Sequence, residues 1–215
     1  MKTAPTLLKA LVLSTLLGSG LALADAPADT ALHTLQQDWA MANYQHQGKD
    51  RESALAKVSD EARQFAGQYP DSAEIKVWEA ISLSTYAGAK GGLGALGLVK
   101  DAKAILEDVI AHDPDTLDGS AFTTLGSLYY QVPGWPIGFG NSKKAAVYLQ
   151  EALKRNPSGI DPNYFYADYM LDQGKKEEAR KYFEKALKAP DRPGRELADQ
   201  GRRQEIADKL KKLGQ

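Results

Sequence analysis

Leu125–Asn141 reads LGSLYYQVPGWPIGFGN, and its two halves obey different rules. With Phe122 just upstream, the first half places Phe122, Leu125, Gly126 and Tyr129 three or one residues apart, on one face of a helix. Gly126 in that face leaves room for a second helix backbone to come close. The second half, Val132–Asn141, spends Pro133, Gly134, Trp135, Pro136, Gly138, Phe139 and Gly140 on a loop before helical sequence resumes.

Outward from this stretch the chain repeats itself. Tyr69-Pro70-Asp71, Asp113-Pro114-Asp115, Asn156-Pro157-Ser158 and Ala189-Pro190-Asp191 each follow an amphipathic helical run. Proline cannot continue a helix and pushes the residue before it out of the α region, so each marks the end of a second helix. The spacings are 44, 43 and 33 residues. In both longer units the surplus falls between first and second helix, at Gly88–Gly97 (GAKGGLGALG) and at Val132–Asn141. With these inserts set aside the second helices share a phase: Ala102, Leu106 and Val109 precede Pro114 as Ala145, Leu149 and Ala152 precede Pro157. Ala179, Phe183 and Ala186 precede Pro190 one residue closer. Small residues flanking a large one let helix backbones approach while the middle side chain fills the gap.

The first unit is the most degenerate, with Leu32, Leu35, Trp39 and Tyr44 followed by Leu55, Val58, Ala62 and Phe65. A terminal repeat has a neighbour on one side only. After Pro193 a last helix over 195–213 has Leu197, Ile206, Leu210 and Leu213 on one side. Arg195, Arg202, Arg203, Lys209, Lys211 and Lys212 dominate the rest, which reads as a solvated cap; a basic docking surface is the alternative.

Lys2, Lys9, the apolar run Ala10–Leu17 and Ala22-Leu23-Ala24 ahead of Asp25 read as a signal peptide over 1–24 with an A-x-A cleavage site. Gly18, Ser19 and Gly20 break the run well short of the roughly 20 apolar residues of a membrane span. The expectation is a periplasmic chain over 25–215, not inserted in the membrane after cleavage. Losing Lys2 and Lys9 leaves 27 − 2 = 25 basic against 28 acidic residues, a balance that does not suit nucleic acid. With no cysteine the fold rests on core burial alone, and thiol catalysis and thiolate metal sites are excluded.

Gly92-Leu93-Gly94-Ala95-Leu96-Gly97 spells G-x-G-x-x-G, but Ile75, Trp78 and Ile81 before it are helical in spacing and no βαβ unit follows. The dinucleotide fingerprint requires a strand-to-helix turn there, so the stretch reads as a mobile inter-helix loop with an apolar tip. His33, His46 and His112 are scattered without ligand spacing, and no nucleophile elbow is present. No enzyme, cofactor or metal is expected.

The chain resembles a tetratricopeptide-repeat α-solenoid, whose period is about 34 residues. The implied architecture is all-α: a right-handed superhelix of helix-turn-helix repeats (about 30–71, 72–115, 116–158 and 159–191) with a C-terminal capping helix. More narrowly it resembles the periplasmic T component (TatT) family of TRAP transporters. That resemblance rests on Leu125–Tyr130 running into Val132-Pro133-Gly134-Trp135-Pro136 and Gly138-Phe139-Gly140, then on Asn156-Pro157 and Asn163–Asp168. It implies a non-catalytic binding or adaptor protein acting beside a solute-binding protein. The alternative is a general scaffold for a cell-envelope assembly. The family's groove positions fall on Ser120, Thr123, Ser127, Tyr130 and Gln131, and on Asp161, Tyr164, Asp168, Leu171 and Asp172. Such a set suits a protein segment or a polar small molecule, with plain helix packing of the tyrosines as the alternative. Trp135 and Phe139 either fold inward over helix surface, the better expectation, or face a partner.

Overall fold

The computed structural model describes residues 28–214, so the signal-peptide reading lies outside the described residues. Among those residues every regular element is helical. Four consecutive helical hairpins pair α1 (Ala28–Tyr44) with α2 (Gly48–Gln68), α3 (Ala73–Lys90) with α4 (Ala95–His112), α5 (Ser120–Gln131) with α6 (Ser142–Arg155), and α7 (Ile160–Asp172) with α8 (Lys176–Leu187). A last helix, α9 (Glu196–Leu213), follows. The result is an all-α tetratricopeptide-type solenoid.

The helix ends have local causes. Tyr69, Asp113 and Asn156, each before a proline, leave helical geometry with φ of −122°, −143° and −131°. At the starts of α3 and α6, Ser72 Oγ accepts from Ile75 N (3.3 Å) and Asn141 Oδ1 from Lys144 N (3.0 Å), supplying acceptors for otherwise free N–H groups.

The hairpins pack where the shared phase places them. Ala102, Leu106, Ala145, Leu149, Ala152, Ala179, Phe183 and Ala186 are all fully buried. Gly126 of α5 lies so close to α6 that a Cβ there would sit 2.7 Å from Leu149 Cγ. One apolar cluster runs through α3 to α8. A second joins α1 and α2 to Trp78, with Trp39 edge-on to Trp78 at 5.6 Å.

Two expectations are corrected. Gly88–Gly97 is not a loop throughout: α3 continues to Lys90 and α4 begins at Ala95, so only residues 91–94 turn, with Gly91 and Gly92 at φ of +64° and +61°. Ala87 and Val99, flanking the stretch, are buried, and the exposed Gly88 and Gly97 carry only the modest helix penalty of glycine. Nor is α9 merely a solvated cap. It packs on α8, α7 and, across the chain, on α1. Ala198, Asp199, Arg202 and Ile206 are buried there, so the last helix covers part of the concave side of the stack.

Candidate functional site

First helices line the inside of the stack, and α9 with the segment before it roofs part of that inside. Between them lies a cavity of about 460 Å³. Its floor carries Trp39 of α1, Trp78 and Thr85 of α3, and Thr123, Ser127 and Gln131 of α5. Asp161 and Phe165 of α7 face Arg192, Arg195, Arg202 and Glu205.

The roof is tied down by charge. Arg202 donates from Nε to Asp161 Oδ1 (2.9 Å) and stacks on Tyr164 and Phe165, 4.2 and 4.9 Å from the ring centroids. Arg192 reaches the other oxygen of Asp161 (2.7 Å), and through its own N–H and Nε it also donates to the buried Asp199 (2.8 and 2.7 Å). Partial burial favours the neutral acid at Asp161, but Arg202 and Arg192 outweigh it and hold the carboxyl well below the usual range.

The polar floor is oriented differently. Thr85, Thr124 and Ser127 donate their hydroxyl protons to carbonyls of their own helices, at Ile81 (2.8 Å), Ser120 (3.0 Å) and Thr124 (2.8 Å). Such hydroxyls present lone pairs to the cavity. Thr85 Oγ1 also accepts from Trp39 Nε1 (3.0 Å), which fixes that ring.

The start of α5 is strained. Leu117, Asp118 and Gly119 are all left-handed, with φ of +49°, +54° and +75°. For the two non-glycine residues this conformation costs roughly 1 to 2 kcal/mol each. Leu117 and Asp118 border the cavity. Next to them Arg155 pairs with Asp115 (2.9 Å) and covers Phe122.

Of the residues assigned from sequence, Thr123, Ser127 and Gln131 line the cavity, as do Ser120 and Asp161. The rest of the set lies elsewhere. Tyr130 Oη donates to Asp168 Oδ2 (2.9 Å) and accepts from Gln131 Nε2 (3.0 Å), while Lys209 of α9 holds the other Asp168 oxygen. Burial and then Asp168 raise the Tyr130 hydroxyl well above its ordinary value, keeping it a donor. Tyr164 is packed, 8% exposed, under Arg202. Leu171 packs on the larger apolar cluster, and Asp172 is exposed beside Gln173.

The loop corrects the inward expectation for Trp135, which is 90% exposed, with Ile137 57% exposed beside it. Phe139 does fold back, edge-on to Tyr129 at 5.5 Å. Gly140 N donates to Pro133 O (3.0 Å) and Asn141 N to Tyr129 O (2.7 Å), closing the loop on itself and leaving its tip outward.

Sequence reasoning missed Trp39, Trp78, Arg51, Arg195 and Arg202 as cavity residues. The one local signal was Arg195 and Arg202 seven residues apart, two turns along one face, with Asp199 between them. Among the described residues no group of three His, Asp or Glu side chains could hold a metal ion. None of the described helices is long and apolar enough to cross a membrane.

Comparison agrees with the architecture. The tetratricopeptide-repeat family model matches residues 160–191, the α7–α8 hairpin and the turn after it. The whole stack is similar to the crystal structure of TTC0263, a thermophilic TPR protein of Thermus thermophilus. The TM-score is 0.55 at 20% identity, over 86% of this chain and 89% of that one. Comparison with curated proteins gives no match. The tetratricopeptide fold suggests an interaction or scaffold role, and tetratricopeptide proteins are generally non-catalytic adaptors.

Proposed function

We propose that this chain is a non-catalytic binding component of the periplasm that acts beside a solute-binding protein of a TRAP-type uptake system, with the roofed concave cavity as its ligand site. The observation that carries this reading is the roof. In an open solenoid the concave side is a groove, whereas here α9 crosses part of it and narrows it to a half-open pocket of about 460 Å³. That volume lies within the range of small-molecule sites. The donating hydroxyls on its floor are engaged with helix carbonyls rather than with a base, which favours binding over chemistry. The exported reading of residues 1–24 and the resemblance carried by Leu125–Asp168 supply the compartment and the partner.

The test is photo-cross-linking in cells from exposed positions such as Gln131 and Ile137, followed by identification of the attached protein. A periplasmic solute-binding protein is the expected capture, on a chain whose N-terminus is Asp25. Capture of outer-membrane or cell-wall machinery would replace this reading with the second one, an envelope scaffold. The outward Trp135 and Ile137 favour that second reading, since aromatic side chains are frequent interface anchors.

A further inference from the structure

The turns within hairpins and the turns between hairpins lie on opposite edges of the stack, because paired helices run antiparallel and successive hairpins stack in the same sense. The two edges differ in charge. Between hairpins, the turn over 69–74 holds Asp71 and Glu74, and the turn over 113–118 holds Asp113, Asp115 and Asp118, with no lysine or arginine in either. The two central tips of the other edge reverse this. Residues 88–100 carry Lys90 and Lys100, residues 131–144 carry Lys143 and Lys144, and neither stretch has an acidic residue. All four lysines are exposed, and the ion pairs nearest to them use other cations, Arg63 with Asp101 (3.1 Å) and Lys103 with Glu107 (2.7 Å). The outer tips of this edge are mixed, with both Lys49 and Asp50 at one and both Asp172 and Lys175 at the other. Since acidic residues outnumber basic ones in the chain as a whole, 28 to 27, the lysine edge reflects segregation of charge and not an excess of it.

The same two central tips push apolar side chains into solvent. Leu93 and Trp135 are the most exposed large apolar residues described, at 80% and 90%, and Ile137 stands beside Trp135. Lys103 of α4 reaches over Phe139, 5.8 Å from its ring centroid, so the loop over 132–141 leans against the neighbouring hairpin. Ile137 N and Gly138 N both donate to Gly134 O (3.1 Å), and Gly140 N to Pro133 O, which builds the Trp135 tip before anything binds to it.

Projecting apolar tips inside a collar of lysines suit a bilayer better than a protein. Protein interfaces are poor in lysine. An anionic bilayer attracts lysines to its phosphates, holds tryptophan at the level of the headgroups, and admits a few apolar side chains without a spanning helix.

We propose that this edge docks peripherally on an anionic phospholipid bilayer, with Leu93, Trp135 and Ile137 entering the headgroup region and the four lysines at the phosphates. The contact is with the surface, not across it, and it is independent of what the cavity holds. The acidic edge then points away from the lipid.

The test is co-sedimentation of the chain over 25–215 with vesicles of phosphatidylethanolamine and phosphatidylglycerol, and with vesicles of phosphatidylcholine alone. Binding to the anionic vesicles should saturate, and it should be at least about tenfold weaker on phosphatidylcholine or in roughly 0.5 M salt. Trp39 and Trp78 are buried, so a blue shift in emission and quenching by brominated acyl chains report Trp135. Lys143→Glu with Lys144→Glu should weaken binding about tenfold or more, as should Leu93→Ser with Trp135→Ser. Both pairs lie on exposed positions and should melt within about a degree of wild type. Asp71→Asn with Asp113→Asn, on the opposite edge, should alter binding by less than about twofold.

The proposal fails if the chain does not sediment with anionic vesicles at about 1 mM lipid, where an association constant near 10³ M⁻¹ would already show. It fails equally if phosphatidylcholine binds as well, or if the lysine and tip variants bind like wild type. No vesicle binding together with capture of a protein from Ile137 would make the edge a protein interface. Vesicle binding with a solute-binding protein captured from Gln131 alone would place lipid at the tips and the partner at the groove. Vesicle binding with no such capture from either position would remove the uptake-system reading and leave this one standing.

Discussion

The seam between α5 and α6 and the seam between α7 and α9 hold neighbouring parts of one solenoid by opposite means. At the first, Gly126 lets an apolar helix face press directly on Leu149, with Arg155 Nε buried at the far end where its guanidinium covers Phe122. At the second, Asp161 is shared by Arg192 and Arg202, with Asp199 and Glu205 completing the set. Apolar contact adds stability in proportion to the area removed from water. Ion pairs taken partly out of water gain less, because desolvation offsets much of the attraction, yet losing one partner is expensive. The first seam therefore builds the stack, and the second positions a roof over the cavity.

The sharpest way to break this contrast is to overfill the first seam. Gly126→Leu should destabilise by about 3 kcal/mol or more, since the added side chain meets Leu149 and the α6 backbone. For a chain of this size the melting temperature should drop by roughly 5 to 10 °C. Leu149→Ala in the same chain should recover part of the loss; no recovery would mean that the two residues do not share a seam.

The second seam should respond to lost charge. Asp161→Ala leaves two arginines short of a partner and should destabilise by about 2 kcal/mol, less than a fully buried pair because the carboxylate is partly exposed. Arg202→Met, which keeps volume, should lose less. Acid sharpens the point: a carboxyl held low in the folded state contributes its full stabilisation above the ordinary Asp value of about 3.9 and loses it as pH falls below that. Melts of wild type and Asp161→Asn should differ most above about pH 5 and draw together only as pH falls below about 3.9 toward the much lower folded-state value, with most of the gap still present at about pH 3. A constant gap would show that Asp161 acts through packing instead.

The loop offers a smaller contrast of the same kind. Phe139→Ala should lower stability by about 1 to 2 kcal/mol through its contact with Tyr129, whereas Trp135→Ala should melt within a degree of wild type. Equal losses would place Trp135 against the helices. The smallest effect concerns the left-handed turn: Asp118→Gly should raise stability by about 0.5 to 1 kcal/mol by relieving a positive φ. An unchanged melt would mean that the turn carries little strain.

What the sequence determined by itself was whatever depends on neighbours within one or two helical turns. The prolines at 70, 114, 157 and 190, the phase of Ala102, Leu106 and Val109 with Ala145, Leu149 and Ala152, and the small Gly126 define the hairpins, because helix period and backbone sterics act locally. Thr123, Ser127 and Gln131 were marked as groove positions by the family resemblance rather than by periodicity, and they border the cavity from α5. Only the tertiary structure decided the rest. Tyr130 and Asp168 became a bolt to Lys209, Tyr164 became the bed for Arg202, and Trp135 turned outward, each through a partner or a loop closure outside its own helix. The cavity itself belongs to that second class, since its walls join Trp39 to Arg195 across the length of the chain. Whether a basic helix lies in water or over a groove depends on carboxylates brought from far away in sequence, and helical periodicity carries no record of them.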